Sequence, residues 1–202
     1  MCKTKDSKII LASTSKSRKN ILRLAGVKYT ALNSGVDEEK TKKNHKGKPR
    51  DLALILAKEK AQAISKIRNN CFVIGADQVL SFNGKVFNKP KNLKEAKKNL
   101  LLFRGKTHYL NSATVIFFNN KIIWKNEQSP KMKMRKFSEK FLESYLRDVG
   151  EDVKHSAGGY SIENKGAQLF SKIEGDFFSI LGLPLLPLME KLRKLDAKGI
   201  EK

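Results

Sequence analysis

Seven consecutive residues, Cys71-Phe72-Val73-Ile74-Gly75-Ala76-Asp77, set six small or apolar side chains in a row and end on an acid. A run that is apolar at every position has no face to offer water, so it reads as a central strand buried on both sides. Such a strand delivers Asp77 to its C-terminal edge, the edge at which open α/β sheets hold their ligands. An unpaired carboxylate in that position is costly, so Asp77 needs a reason for being there.

The remaining patterns alternate around this strand. Residues 8 to 12 form a short buried strand, Ser13 to Ser17 a hydroxyl-rich turn, and Ile21, Leu22, Leu24 and Ala25 a helical spacing that Gly26 stops. Tyr29 to Asn33 reads as a second strand, and the polar stretch from Asp37 to Arg50 as a mobile loop. A long helix opens at Pro49 and ends near Asn69 and Asn70. After the Asn83-Gly84 turn come a helix over 93 to 103, a hairpin over 109 to 125 turning at Asn119-Asn120, and a helix over 138 to 148. Glycines 158, 159, 166 and 175 punctuate short strands before a closing helix from Leu183 to Lys194. Strands and helices alternate, so the class is α/β or α+β with a mixed sheet. At 202 residues the chain suits one domain, with the lysine-rich tail after Leu195 a candidate for disorder.

Composition narrows the function classes. No apolar run approaches the ~20 residues that span a bilayer, and the polar start lacks the apolar core of a secretory signal, so no membrane association and a cytoplasmic location are expected. The two cysteines, Cys2 and Cys71, read as free thiols rather than as a disulfide or metal framework. A net charge of +22 attracts polyanions, but the lysines are spread along the chain without a nucleic-acid module, which argues against a specific nucleic-acid partner. A triphosphate is a polyanion as well.

Ser13, Ser15, Ser17 and Arg18 lie between a strand and a helix start, where free N–H groups and the helix dipole favour phosphate. The same serines also suit plain N-capping. Asp37-Glu38-Glu39 and Asp77 offer the carboxylates that Mg²⁺ or Mn²⁺ take together with substrate phosphates. Lys89, following the Asn83-Gly84 turn, and Lys60, in the long helix, could add ammonium groups. His45, His108 and His155 share no ligand spacing, and no Walker or dinucleotide loop is present. Trp124 suits packing better than base stacking.

The ordered motifs LASTSKSRKNIL (11 to 22), VDEE (36 to 39), AKEKAQA (57 to 63), IGADQVL (74 to 80), NKP (88 to 90), GGYSIE (158 to 163) and IEGDFFSILGLPLLPL (173 to 188) resemble the Maf family over nearly the whole chain. That resemblance implies a mixed, bent β-sheet flanked by helices around a central cleft, as in Maf and inosine-triphosphatase-like folds. It also implies a divalent metal cofactor, a nucleoside triphosphate substrate and hydrolysis to the monophosphate and diphosphate, a house-cleaning hydrolase of acid anhydrides. A homodimer is suggested too.

Carried over, Asp77 matches the family's proton acceptor and, with Glu38, its metal-binding acids, with Asp37 or Glu39 as near alternatives. Arg18, Lys60 and Lys89 match the triphosphate clamp, and Ser13 and Ser15 the hydroxyls at the first helix. The base-selectivity set is Ser17, Gln78 and Glu163; Gln78 and Glu163 are similar to the branch acting on 7-methyl-GTP rather than the dTTP/UTP branch. Ser17 matches neither branch, and Lys16 replaces the familiar proline. The rivals are an inosine-triphosphatase-like enzyme and a non-enzymatic basic protein that binds nucleic acid or regulates septum formation.

Overall fold

The structure, a computed structural model, describes residues 8–200. Cys2 and the polar start therefore lie outside the described residues. In chain order the elements are β1 (Lys8–Leu11), α1 (Lys16–Leu24), β2 (Tyr29–Ala31), α2 (Glu38–Asn44), α3 (Pro49–Ser65), β3 (Cys71–Phe82), β4 (Lys85–Phe87), α4 (Leu93–Phe103), β5 (Thr107–Phe118), β6 (Lys121–Gln128), β7 (Lys131–Met134), α5 (Glu139–Val149), β8 (Phe170–Glu174), α6 (Phe177–Ile180) and α7 (Leu185–Lys194). The eight strands form one mixed sheet in the order β2-β1-β3-β5-β7-β8, with β4 beside β3 and β6 beside β5. The mixed α/β class expected from the alternating patterns is the one observed. No helix among the described residues is long and apolar enough to cross a membrane.

The chain gathers into two compact units, and β3 and β5 each contribute to both. The first holds residues up to Gln78, Ser112–Gln128 and the chain from Asp176 onward. Here β1 pairs in parallel with β2 and with β3, Leu11 lying opposite both Ala31 and Ile74. Phe72, Val73 and Ile74 are fully buried, which explains a sequence with no polar alternation. One face of the strand meets α3 so closely that a Cβ on Gly75 would stand 2.2 Å from the Ala57 carbonyl oxygen. Only glycine lets helix and strand approach that far. On the other side Ile9, Leu11, Leu22, Ala76, Ile116, Leu183, Leu188 and Leu192 share one apolar cluster, against which Trp124 is partly buried. Beyond α7 the chain turns back, with Ala197 buried and the Lys28 N–H donating to the Gly199 carbonyl at 3.2 Å.

The second unit, Val79–Asn111 and Ser129–Gly175, is antiparallel. β4 pairs with the end of β3 across the Asn83-Gly84 turn, where both residues take positive φ (49° and 74°). β5 pairs with β7 and β7 with β8. Phe82, Phe87 and Phe103 pack edge to face, and His108 stacks on Phe103 with ring centres 4.9 Å apart.

Three expectations are corrected. The supposed mobile loop from Asp37 holds helix α2, capped by the Asp37 carboxylate on the Lys40 N–H at 3.0 Å, with acids in its first turn and lysines in its last. A cap and ordered charges mark it, with the Thr41 hydroxyl donating to Glu59 at 2.8 Å, and none of its residues is buried, so no apolar period announced it. Asp77 does not end its strand: β3 runs on to Phe82, and what ends near it is the pairing with β1 at Ile74. Of the glycine-punctuated stretch, only β8 is a strand; Gly150–His155 and Lys165–Leu169 are 3₁₀ turns.

Candidate active site

Where β1 stops, the chain must leave the sheet. Ala12 keeps a last bond, its N–H donating to the Ile74 carbonyl at 2.8 Å, and the serine turn follows. Ser13 is buried, and its Oγ accepts from the Ser15 N–H at 3.2 Å and from Arg18 Nη1 at 3.4 Å. Ser15 caps α1 by accepting from the Arg18 N–H at 3.4 Å. No acid stands in the first turn of α1, so its positive end is uncompensated from within the helix. Arg18 is itself buried and donates Nε to the Gly182 carbonyl at 2.8 Å. Burial pulls its guanidinium below the usual range, while Asp77 and Glu38 pull the other way.

The acids meet on one lysine. Strand alternation turns Gly75 and Asp77 toward α3, and Lys60, on the buried stripe of that helix, donates Nζ to Asp77 Oδ1 at 2.6 Å. The same ammonium lies 2.7 Å from Glu38 Oε1 at the start of α2. Lys60 and Asp77 are almost fully covered, and the Glu38 side chain keeps 40% of its surface open. Burial raises the Glu38 pKa, but the charge and hydrogen bond of Lys60, aided by Lys42 and Arg18, outweigh it and hold the carboxyl below its usual range. Two carboxylates gathered on one ammonium repel each other, and the shared Lys60 charge offsets that repulsion. Asp77, Glu38, Lys60 and Arg18 make a charge-balanced quartet in which Lys60 engages one oxygen of each carboxylate.

The alternate face of β3 carries Gln78, whose amide donates to the carbonyls of Ser179 at 2.8 Å and Ile180 at 3.0 Å. Ser17 Oγ donates to the Leu181 carbonyl at 3.0 Å. With Arg18 on Gly182, three side chains named from the sequence grip four successive carbonyls of one turn. That turn was missed: its residues stood in the sequence as part of a resemblance, without a role. Asp176 three places before Ser179 is the spacing of an N-cap and was the available signal.

Ser13, Ser15, Ser17, Arg18, Glu38, Lys60, Asp77 and Gln78 therefore all lie in the first unit. Lys89 and Glu163 belong to the second. Lys89 is exposed just before Pro90; Glu163 is exposed in a turn, its carboxylate accepting from the Ser161 hydroxyl at 2.6 Å. Of the alternatives to Glu38, Asp37 is occupied as the α2 cap and Glu39 pairs with Lys42 at 2.8 Å. No group of three or more His, Cys, Asp or Glu side chains converges among the described residues.

Residues 8–195 match the family model described as Maf-like protein. The 7-methyl-GTP pyrophosphatase of Bartonella henselae is 43% identical over 189 residues, covering 93% of this chain and 96% of that protein. The 7-methyl-GTP pyrophosphatase of Rhizobium meliloti is 40% identical over 94% of this chain and 96% of its own length. A protein named nucleoside triphosphate pyrophosphatase in Rhodospirillum rubrum is 44% identical, covering 92% of this chain and 93% of its own.

Proposed function

Since the chain belongs to the Maf family, we propose that it hydrolyses a nucleoside triphosphate between the α and β phosphates, releasing the nucleoside monophosphate and diphosphate. The observation that carries this reading is Lys60 bridging Asp77 and Glu38 beside a buried arginine at a helix start. An attacking water needs a base and a triphosphate needs cations, and one patch of the first unit offers both.

In this reading Asp77 takes a proton from water as the water oxygen bonds to the α-phosphorus. The bond from that phosphorus to the α,β-bridging oxygen breaks, and the electron pair leaves with the diphosphate. Arg18 and the free N–H groups at the start of α1 bind phosphate oxygens, a charge-assisted contact made stronger by burial. Lys60 holds Asp77 and Glu38 in place and keeps their charges from driving each other apart.

The donor set fits a divalent ion, because Mg²⁺ and Mn²⁺ bind through one or two carboxylates together with substrate phosphates. Asp77 and Glu38 would hold it, and the ion would neutralise phosphate charge and stabilise the leaving diphosphate. The reading rests on the first unit and does not depend on Lys89 or Glu163.

For the base we propose 7-methylguanine, supported by the names of the relatives and by Gln78. With both amide protons given to backbone carbonyls, Gln78 keeps its Oε1 as an acceptor for a base donor group. The cytoplasm is the proposed setting of the enzyme. The test is diphosphate and monophosphate release from 7-methyl-GTP, GTP, ITP, UTP and dTTP, with and without Mg²⁺ or Mn²⁺. Metal-dependent diphosphate release with the highest kcat/KM on 7-methyl-GTP is expected. Absence of diphosphate, or orthophosphate in its place, would overturn the reaction; equal kcat/KM on all five would overturn the base.

A further inference from the structure

The turn from Asp176 to Gly182 is built as a bracket. The Asp176 carboxylate accepts from the N–H and from the hydroxyl of Ser179, both at 2.7 Å, and Ser179 is fully buried. The N–H groups of Ile180, Leu181 and Gly182 close back on Asp176, Phe177 and Ser179 at 3.1 to 3.2 Å, and Gly182 takes a φ of 96° that a side chain would strain. The single helical turn α6 leaves the carbonyls at and just past its end with acceptor capacity to spare, that of Ser179 taking the Gly182 N–H on its backbone side. Those of Ser179, Ile180, Leu181 and Gly182 are met by Gln78, Ser17 and Arg18, coming from the residue after Asp77 and from the first turn of α1.

We infer that Asp176 is a positioning residue for the hydrolysis proposed above, acting through Ser179 and the carbonyls that follow. This inference rests on the proposed reaction and adds a residue to it. The Arg18 guanidinium takes its shorter hold, on Nε, from Gly182, with Ser13 on Nη1 at 3.4 Å, and Gln78 presents its Oε1 to a base only while Ser179 and Ile180 hold its amide protons. The holds on Nε and on the amide come from one turn, and the Asp176 cap sets that turn. The bracket thus couples the phosphate contact to the base contact. Loosening it lets Gln78 rotate and offer an N–H donor where it had offered an acceptor.

The test compares the wild type with Asp176→Ala, Asp176→Asn and Ser179→Ala, measuring kcat and KM for 7-methyl-GTP and UTP well below the unfolding midpoint. Asp176→Ala is expected to lower kcat/KM for 7-methyl-GTP about tenfold and to narrow its ratio to that of UTP at least threefold. Asp176→Asn, which keeps an acceptor for the Ser179 N–H, restores most of the ratio, and Ser179→Ala falls between. A purely structural cap changes the folded fraction for both substrates alike, so an unchanged ratio in folded Asp176→Ala and Ser179→Ala overturns the inference and leaves the reaction standing. If Asp176→Ala does not fold, Ser179→Ala alone decides on the same ratio. A wild type that releases diphosphate from neither nucleotide overturns the reaction, and the inference with it.

Discussion

At the scale of single residues the account turns on Lys60, one ammonium serving two acids from different elements. Replacing it by methionine keeps the stem on the buried stripe of α3 and removes the charge, leaving Asp77 covered and without its ion partner. Removing one side of a buried pair costs a few kcal/mol, so Lys60→Met is expected to lose roughly 3 kcal/mol in urea unfolding. Adding Asp77→Asn should recover part of that loss, because the repulsion with Glu38 goes with the charge; the double-mutant cycle checks it. Glu38, Lys60 and Asp77 were all named from the sequence, yet their meeting on one nitrogen was not legible there. Lys60 is one of 42 basic residues; the resemblance singled it out, but only the packing of α3 on β3 brings it onto both acids.

Among the elements, the contact of α3 with β3 sets the site, and Gly75 is its closest point. An added Cβ would meet the Ala57 carbonyl oxygen at 2.2 Å and the Ala61 Cβ at 2.7 Å, neither at the end of a flexible chain. Gly75→Ala must push the helix away, with an expected loss of about 1 to 3 kcal/mol and, because Lys60 and Asp77 stand one turn and two residues onward, a fall in kcat. Urea midpoints and steady-state rates measure the two effects. Elements with apolar periods were readable from the sequence: β1, α1, the β5–β6 hairpin and α7 stand close to where the patterns put them, and α3 starts at Pro49 as expected but ends at Ser65, short of Asn69, with Ile67 exposed beyond it. Helix α2 was not, because its signals are a capping acid and ordered charges within a polar stretch. The strand end at Asp77 was misplaced because an acid and an amide, Asp77 and Gln78, interrupt the apolar run, whereas β3 stays buried through Val79, Leu80 and Phe82 and takes β4 as a new partner.

On the scale of the whole molecule, stability carries a pH dependence that originates in the second unit. His108 is completely covered, with Nε2 on the Tyr160 hydroxyl at 2.6 Å and Nδ1 without a hydrogen-bond partner among the described residues. Burial lowers its pKa to about 4, so the folded state keeps the ring neutral where the unfolded chain would protonate it near 6.5. The unfolded state then binds the extra proton, and stability is full above about pH 6.5 and falls as the pH drops toward 4. At ~1.4 kcal/mol for each pH unit between those two values the loss is of order 3 kcal/mol, read as a falling thermal midpoint that flattens in His108→Leu. Nothing in the sequence around His108 marks it out, since it shares no ligand spacing, and its burial comes from the aromatic cluster that the second unit builds around it.

The central claim is that Asp77 is the base and that the surrounding cations bind the triphosphate without it. Asp77→Asn keeps the shape and an acceptor for Lys60 while removing the negative charge that takes the proton. Diphosphate release by this variant, with nucleotide affinity measured on the same preparation, tests the claim most directly. The account predicts a loss of turnover of about a hundredfold or more with affinity kept within a few-fold; turnover equal to that of the wild type would contradict it.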